Sequence, residues 1–480
     1  MKLKDFAILG IILFIGLILR LYNIQAPLAD LHSWRQVDTA AVSRNFINID
    51  FNLLKPKYDD LSSIQSGIEN PEGLRFVEFP LYNAAVALLY KIIPSVPIEV
   101  YGRLVTIFFS LILISIIYYL LLREHDRLTA IVGAGIYSIF PFFVFFSRVV
   151  LPETTALSLS FIAILLLYIN KDSKNKKRTY WFELFSALCF SAGILIKPTV
   201  LFLFIPILYL LFKKWGLSLF KKPSFYLYLF ILIIPFISWR SYISQYPEAV
   251  PASSWLISQV NTSEGLLNIF FRPAFFRWIF FERINNAILG AFMSFFLLLG
   301  LFYRQKNFFL YSILLSSLLY LFVFQGGNIQ HEYYQTLVLP SLAMFIAIGT
   351  SYIRKYNKNL IPPFFSIIFS ILIFSFSFLI SLYIVKNYYN YSKDLVSMSK
   401  IIKDLTRKED KIVTDTIGDT TLLYLSERRG SPAVYADLGV LKNKGYSYFV
   451  TLNKELTQQI LKETNFSLIF ENDKFSIFRL

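Results

Sequence analysis

Apolar segments of about twenty residues recur through most of the chain, and this pattern constrains the fold more than any other feature of the sequence. A helix of that length crosses the hydrocarbon core of a bilayer. Of the 480 residues, 56% are hydrophobic and only 16% are charged, which is too little charge for the surface of a soluble protein. The sequence therefore predicts a mainly α-helical, polytopic transmembrane bundle of about eleven spans. The predicted spans are 6–24, 102–122, 128–146, 154–170, 180–196, 199–213, 224–240, 286–303, 307–325, 335–353 and 361–385.

The loops between these spans fall into two kinds. One kind is short and rich in Lys and Arg, as at 171–178, 213–222, 304–306 and 354–358. Cytoplasmic loops of membrane proteins are enriched in Lys and Arg. We therefore predict a multi-pass protein of the cytoplasmic (inner) membrane, with these loops and the N-terminus on the cytoplasmic side. The other loops and the C-terminus are predicted on the outer side. The first span, which lacks a small-residue cleavage site, is expected to stay as a signal anchor. The net charge of +16 does not indicate a nucleic-acid partner, because the cations are dispersed among loops between apolar runs.

Three regions depart from the simple alternation of spans and short loops. Residues 25–101 form a long outward loop, with a helix at 33–49 predicted to lie along the membrane surface and a short apolar helix at 81–93. Residues 241–285 form a second outward loop, rich in aromatic side chains. From residue 386 short strand-like runs alternate with helical stretches. We therefore expect a transmembrane domain at 1–385 and a small extracytoplasmic α/β domain at 386–480.

Polar side chains crowd the turn that follows the first span. Asp30, His32, Trp34, Arg35 and Asp38 lie within nine residues. Taken singly, Asp30 is explained as a helix cap, and His32, Arg35 and Asp38 as a solvated helix face. Their crowding with Trp34 in one turn favours a functional site. A carboxylate close to a cation keeps a low pKa, which suits a base that must be ionised when it meets a hydroxyl.

Further candidates occur in the other outward loops. They are Arg75, Glu78 and Tyr82 in the first loop, Glu153 and Lys197 at span ends, and His331, Glu332 and Tyr333 near the end of the bundle. Singly, Glu78 is explained as a helix cap, Lys197 as a membrane anchor and Tyr333 as an interfacial aromatic. The sequence contains no HExxH, GxSxG or P-loop motif, and its three histidines are scattered, which disfavours a histidine-based zinc site.

Five stretches together resemble bacterial membrane glycosyltransferases of the protein O-mannosyltransferase and aminoarabinose-transferase superfamily, the GT-C type. They are LADLHSWRQVDTAAVSRNF, NPEGLRFVEFPLYN, SRVVLPE, LIKPT and HEYY, spread over about residues 1–390. The resemblance implies an enzyme that transfers a sugar from a polyprenyl-phosphate-linked donor to a lipid, glycan or protein hydroxyl, at a site outside the cytoplasm.

The resemblance also implies roles for individual residues. A carboxylate in the first outward loop is the usual catalytic residue, and Asp30 has the nearest position. Related enzymes often have an Asp-Glu pair there, which this chain lacks, so Asp38 remains the alternative. Glu153 matches a carboxylate of the next outward loop, and Lys197 matches a cation that binds the lipid phosphate. The two side chains are expected to lie near each other, across the outward ends of neighbouring spans. Arg35 and Arg75 are further phosphate candidates by position.

No cofactor is required by the sequence, although a divalent cation held by Asp30 and Glu153 is an open alternative. Two other functions remain open. A transporter or flippase of a lipid-linked glycan would use the same cations to hold a phosphate, and a structural membrane protein would leave the outward carboxylates unexplained. Charges at the ends of the spans, with few at their centres, favour the enzyme.

Overall fold

A computed structural model describes residues 2–251, 273–356, 362–463 and 465–480. The chain is mostly helical and has a small sheet near its C-terminus. The α-helices are α1 (Leu3–Leu21), α2 (Ser33–Asn48), α3 (Leu81–Ile92), α4 (Ile98–Glu124), α5 (Arg127–Ile139), α6 (Pro141–Phe146), α7 (Glu153–Asn170), α8 (Lys176–Ile196), α9 (Phe204–Trp215), α10 (Pro223–Ile243), α11 (Pro273–Phe276), α12 (Met293–Phe302), α13 (Phe309–Val323), α14 (Gln325–Gln330), α15 (Leu339–Tyr356), α16 (Pro363–Val385), α17 (Lys393–Leu405), α18 (Thr421–Leu425), α19 (Leu438–Asn443) and α20 (Lys454–Glu463).

Shorter helical turns and five strands complete the described elements. A π-helix follows α11 at Arg277–Ile288. The 3₁₀ turns are Pro198–Leu203, Gly216–Lys221, Pro247–Ala249, Glu332–Val338 and Lys386–Tyr389. The strands are β1 (Lys411–Thr414), β2 (Gly430–Ser431), β3 (Tyr446–Thr451), β4 (Ser467–Glu471) and β5 (Ser476–Arg479).

The polytopic helical bundle predicted from the sequence is confirmed. Seven helices in the described residues are long and apolar enough to cross a membrane, and eight if one bent pair is a single span. Several other predicted spans correspond to shorter apolar helices, such as α5 and α13, or to α1, which contains charged residues. The count of eleven spans remains a prediction.

Two predicted spans are broken helices in the structure. The span expected at 128–146 divides into α5 and α6 because Pro141 starts a new helix, and proline cannot continue the preceding one. The span expected at 286–303 is interrupted between the π-helix and α12, whose axes differ by 114°. Gly290 and Ala291 lie in this break with φ of 54° and 62°. The outward loop predicted at 241–285 lies partly outside the described residues, as does the basic loop at 354–358.

One of the two compact units contains most of the apolar helices. It comprises Met1–Ile24, Arg103–Ser238 and Ser254–Tyr388. Arg20 is fully buried in this unit, near the end of α1. Its guanidinium donates to Ser147 Oγ at 2.8 Å and to the backbone oxygens of Tyr137 and Ser138, both at 2.9 Å. These bonds replace water and allow an apolar helix to contain an arginine.

The other unit contains the first long loop and the C-terminal region. It comprises Gln25–Gly102, Trp239–Ser253 and Tyr389–Leu480. The expected helix at 33–49 is present as α2, but most of its residues are buried and it is not amphipathic. Its polar side chains bond inside the unit, as shown by the bond from Thr421 Oγ1 to Ser33 Oγ at 3.0 Å. A helix covered on nearly all sides needs no polar face.

The C-terminal sheet has the order β2-β1-β3-β5-β4. β1 pairs in parallel with β2 and β3, whereas β5 pairs antiparallel with β3 and β4. Consecutive strand residues, such as Ile412 and Val413, belong to two different hydrophobic clusters, so both faces of the sheet are covered. Asp60 of the first loop forms a parallel bridge with Gly430, which places a segment of that loop beside β2.

Candidate active site

Asp30 lies in the turn that leads into α2. The residue at the helix N-cap is His32, whose φ of 57° is in the left-handed region, and its side chain makes no capping bond. Asp30 is 6% exposed, and its Oδ1 accepts a hydrogen bond from Gln36 Nε2 at 2.6 Å. Asp30 is therefore a buried side chain held by α2 and is not the N-cap residue. Left-handed backbone at a non-glycine residue costs about 1–3 kcal/mol and is more frequent at functional sites.

Asp38 lies further along α2 than Gln36 and has an ionic partner. Its Oδ2 is 2.9 Å from Arg75 Nη2, and its Oδ1 accepts a hydrogen bond from Thr420 Oγ1 at 2.6 Å. Burial raises the pKa of the Asp38 carboxyl, and the neighbouring Arg75 and the Thr420 hydroxyl oppose that rise. Both carboxylate oxygens of Asp38 are thus engaged in the described structure.

Arg75 is at the centre of a buried polar group. Its guanidinium lies 4.9 Å from the centre of the Tyr58 ring, and Nη1 donates to Gln65 Oε1 at 3.4 Å. Among the described residues, the buried Nε of Arg75 has no hydrogen-bond partner. Tyr58 Oη lies 3.4 Å from Asp60 Oδ2, and burial raises the pKa of Asp60 to about 6. This buried nitrogen of the guanidinium could donate a hydrogen bond to an anionic ligand.

The remaining first-loop candidates have structural partners as well. Arg35 of α2 forms an ion pair with Glu78, and both side chains are largely buried. Tyr82 Oη donates to the backbone oxygen of Gly102 at 2.8 Å. His32 and Trp34 are half-buried. The structure thus brings Arg35 to Glu78 and Asp38 to Arg75, two cation–carboxylate pairs based on α2.

Glu153 and Lys197 form the candidate site of the helical unit. Glu153 is the first residue of α7, and Lys197 follows the last residue of α8. Lys197 Nζ is 2.6 Å from Glu153 Oε1, and both side chains are 9% exposed. The expected proximity of these two residues is confirmed, whereas their role stays a prediction. Lys197 Nζ also lies 5.3 Å from the centre of the Tyr334 ring and 5.9 Å from that of Tyr333.

A small cavity and a buried carboxylate oxygen adjoin this pair. Among the described residues, Glu153 Oε2 is buried and has no hydrogen-bond partner. A small cavity adjoins the pair and is lined by Glu153, Leu157, Lys197, Thr199, Val200, Tyr320, Tyr334 and Leu337. The ammonium of Lys197 is a suitable hydrogen-bond donor to a phosphate oxygen.

Glu332 and His331 belong to a neighbouring segment of the same unit. Glu332 Oε1 is 3.3 Å from Arg283 Nη2, and Arg283 also donates to the backbone oxygen of Asn328. His331 stacks on Tyr333 with ring centres 5.4 Å apart and ring planes 7° apart. Arg283 was not among the sequence candidates. The only signal for it was a basic residue in an aromatic-rich stretch, where a membrane anchor is the simpler interpretation.

Metal ligands do not converge within the described part of the chain. Among those residues, no three His, Cys, Asp or Glu side chains are grouped so that they could hold a metal ion. Asp30 and Glu153 belong to different compact units. A divalent cation held by Asp30 and Glu153 stays a prediction.

Taken together, the bundle of apolar helices, the small C-terminal sheet and the buried ion pairs at helix ends define a class. The protein has the GT-C fold of polytopic membrane glycosyltransferases, as its sequence resemblance predicted. A family model described as dolichyl-phosphate-mannose-protein mannosyltransferase matches residues 77–242, a stretch that includes Glu78, Glu153 and Lys197. No curated protein matches the sequence.

Solved structures with this fold include three kinds of glycosyltransferase. ArnT from Cupriavidus metallidurans, bound to undecaprenyl phosphate, has a TM-score of 0.62 and 12% identity, covering 99% of this chain and 97% of its own. The oligosaccharyltransferase AglB from Archaeoglobus fulgidus, in complex with an inhibitory peptide and a dolichol-phosphate, has a TM-score of 0.57 and 12% identity, with 94% and 69% covered. The arabinofuranosyltransferase AftD from Mycobacteria has a TM-score of 0.55 and 13% identity, with 98% and 41% covered.

Proposed function

We propose that the protein transfers a sugar from a polyprenyl-phosphate-linked donor to a hydroxyl of a lipid, glycan or protein acceptor, outside the cytoplasm. The buried ion pair of Lys197 with Glu153, at the outward ends that the sequence predicts for two neighbouring spans, is the observation that supports this proposal most strongly. The fold adds support, since ArnT is bound to undecaprenyl phosphate and AglB to a dolichol-phosphate.

Asp30 is the general base of the proposed reaction. Asp38 is less suitable, because Arg75 and Thr420 engage both of its oxygens. Accepting a proton would remove the charge that holds Arg75. Asp30 has the position that the resemblance implies for the base, in the turn that leads into α2, and Gln36 Nε2 donates to its Oδ1 at 2.6 Å.

The proposed reaction is a displacement at the anomeric carbon of the donor sugar. The acceptor oxygen forms a bond to that carbon, and the bond to the phosphate oxygen breaks with its electron pair on the phosphate. Asp30 takes the hydroxyl proton. Negative charge develops on the departing polyprenyl phosphate, and the ammonium of Lys197 stabilises it without reorganisation because its position is fixed by Glu153.

Transfer assays with the purified protein in bilayer discs test this function. A panel of labelled polyprenyl-phosphate sugars is supplied together with a membrane extract that contains acceptors. Asp30→Asn keeps the side-chain volume and should lower the rate by about 100- to 10,000-fold, since general-base assistance is lost. Normal transfer by Asp30→Asn with an inactive, folded Asp38→Asn assigns the base to Asp38. Movement of labelled lipid across the bilayer without transfer contradicts the enzyme and supports a flippase.

A further inference from the structure

Thr420 connects the C-terminal region to the candidate site in the first loop. It directly precedes α18, and its hydroxyl donates to Asp38 Oδ1 at 2.6 Å although the two residues are 382 positions apart. Each of the two residues is 2% exposed. A hydrogen bond from a hydroxyl to a buried carboxylate is strong, because little water competes for either group.

Neighbouring contacts hold this hydroxyl in place. Thr421, the first residue of α18, donates to Ser33 Oγ at 3.0 Å. The guanidinium of Arg44 lies 4.2 Å from the centre of the Tyr424 ring and donates to the Tyr424 backbone oxygen at 2.8 Å. Contacts from both the start and the end of α18 thus fix its position against α2, so the direction of the Thr420 hydroxyl is determined.

The charge on Asp38 depends on several opposing groups. Arg75 and Arg35 favour the ionised carboxylate, whereas Asp59 and Asp60 disfavour it, and Tyr58 lies in the same group. Burial is the largest influence and raises the pKa of Asp38, and the bond from Thr420 acts to lower it. Only the ionised carboxylate holds the Arg75 guanidinium as an ion pair, at 2.9 Å.

We propose that Thr420 is a positioning residue, which keeps Asp38 ionised and so holds Arg75 for binding of the donor phosphate. The inference rests on the proposed function, since Arg75 is a phosphate contact only if the donor is a lipid phosphate. Under it the C-terminal region contributes directly to the site, through one hydroxyl. The buried Nε of Arg75, without a hydrogen-bond partner among the described residues, supports a role in holding an anion.

Substitution of buried threonine hydroxyls in the C-terminal region tests the inference. Thr420→Val removes the donor to Asp38 and keeps the shape, whereas Thr420→Ser keeps the hydroxyl. Thr457→Val is the matched control, because it removes an equally buried threonine hydroxyl of the C-terminal region, which donates to Ser476 Oγ of β5 at 3.1 Å. With a labelled polyprenyl-phosphate sugar as substrate, Thr420→Val should raise KM for the donor roughly 10-fold, the effect of losing one hydrogen bond to a charged group.

The pH dependence of the transfer rate and of the Tm distinguishes a positioning role of Thr420 from a purely structural one. Without the Thr420 hydroxyl the pKa of Asp38 rises further, so the acid limb of the transfer rate should move to higher pH and activity should recover as pH is raised. The apparent Tm of Thr420→Val should depend on pH in the opposite sense. It should fall furthest below the wild-type value at high pH, where Asp38 is ionised and lacks its hydrogen-bond donor. Thr420→Ser should restore both properties, and Thr457→Val should alter neither dependence on pH.

The two measurements also separate this inference from the proposed function. If the wild-type protein transfers no sugar, the proposed function is contradicted, while the Tm measurements still decide whether Thr420 stabilises ionised Asp38. If the wild-type protein is active but Thr420→Val and Thr457→Val have the same KM and the same pH profile, the positioning role is overturned.

Discussion

Lys197 and Glu153 illustrate how much a single buried side chain depends on its partner. Each side chain is 9% exposed, and removal of one leaves an unpaired charge in the protein interior. Breaking such a pair typically costs about 3–5 kcal/mol. A test of Lys197 therefore needs a variant that retains the charge as well as one that removes it.

Replacement of Lys197 should weaken binding of undecaprenyl phosphate. We expect Lys197→Ala to raise the Kd by about 10- to 100-fold, the loss of one charged contact to a phosphate, and Lys197→Arg to retain most of the affinity. Binding is measured by native mass spectrometry on monodisperse protein in detergent. Lys171→Ala is the control, since Lys171 pairs with Glu124 at 3.5 Å in the same unit. Equal affinity for all three variants would leave Lys197 as a structural residue.

Asp60 should make the stability of the protein depend on pH. Its pKa is raised from 3.8 to about 6 by burial, so the folded state binds its proton more tightly than the unfolded state does. The stability that Asp60 contributes is therefore fully present below about pH 4 and is lost as pH rises through about 6. An ionised Asp60 costs at most about 3 kcal/mol at neutral pH, from 1.36 kcal/mol for each pKa unit.

Asp60→Asn should remove this cost. The amide oxygen can accept the bonds that Ser62 now donates to Oδ1, at 2.8 Å from its backbone nitrogen and 2.6 Å from its hydroxyl. The amide nitrogen can donate to Tyr58 Oη. We expect the apparent Tm of Asp60→Asn to exceed that of the wild type at pH 8, and the difference to vanish near pH 4. A difference in Tm that stays constant with pH would contradict the raised pKa.

At the scale of single elements, the break before α12 shows a steric requirement. Gly290 has a φ of 54°, and a Cβ there would lie 1.8 Å from the backbone oxygen of Ser377. Gly290→Ala should therefore lower stability by at least about 1–3 kcal/mol through backbone strain, with the clash in addition. Thermal unfolding in detergent measures the effect. Gly10→Ala is the control, since no atom lies within 4 Å of a Cβ at Gly10 in α1. Equal Tm values for the two variants would contradict the close approach of Gly290 to Ser377.

The sequence pattern predicts which helices and strands form better than it predicts which residues pack around them. The strand-like runs expected after residue 386 correspond to a sheet that includes β1, and the helix expected at 33–49 is α2. Periodicity and strand propensity act locally, so these elements are visible in the sequence. The burial of α2 is not visible, because its cover includes Thr421, hundreds of residues away. The break at Gly290 was also missed, because it depends on a close approach to Ser377.

In the candidate site, too, local features can be predicted from the sequence and contacts between distant residues cannot. Lys197 and Glu153 were predicted to be neighbours because consecutive antiparallel spans bring their ends together, and they are 2.6 Å apart. Arg75 and Asp38 were both named, but their pairing was not, since the chain between them is irregular. Thr420 has no local signal at all. Charged residues in an apolar sequence can therefore be located from the sequence, whereas their neutral hydrogen-bond partners cannot.

At the scale of the whole molecule, orientation in the membrane is the remaining prediction. The loop 171–178 is rich in Lys and Arg and is predicted inside, whereas the loop that includes Gln330 and His331 is predicted outside. All candidate residues are expected on the outer side. A single reversal of one loop would separate Lys197 from the other outward groups, so orientation tests the whole proposal.

Single cysteines measure this orientation. Cys189 is the only native cysteine, so Cys189→Ala provides a background without thiols. Ser173→Cys and Gln330→Cys are then introduced separately, and intact cells are treated with a thiol reagent that does not cross membranes. We expect labelling of Gln330→Cys alone, and labelling of Ser173→Cys only after the membrane is opened. Labelling of Ser173→Cys in intact cells, with Gln330→Cys protected, would place the Lys197–Glu153 pair on the cytoplasmic side and overturn the proposed function.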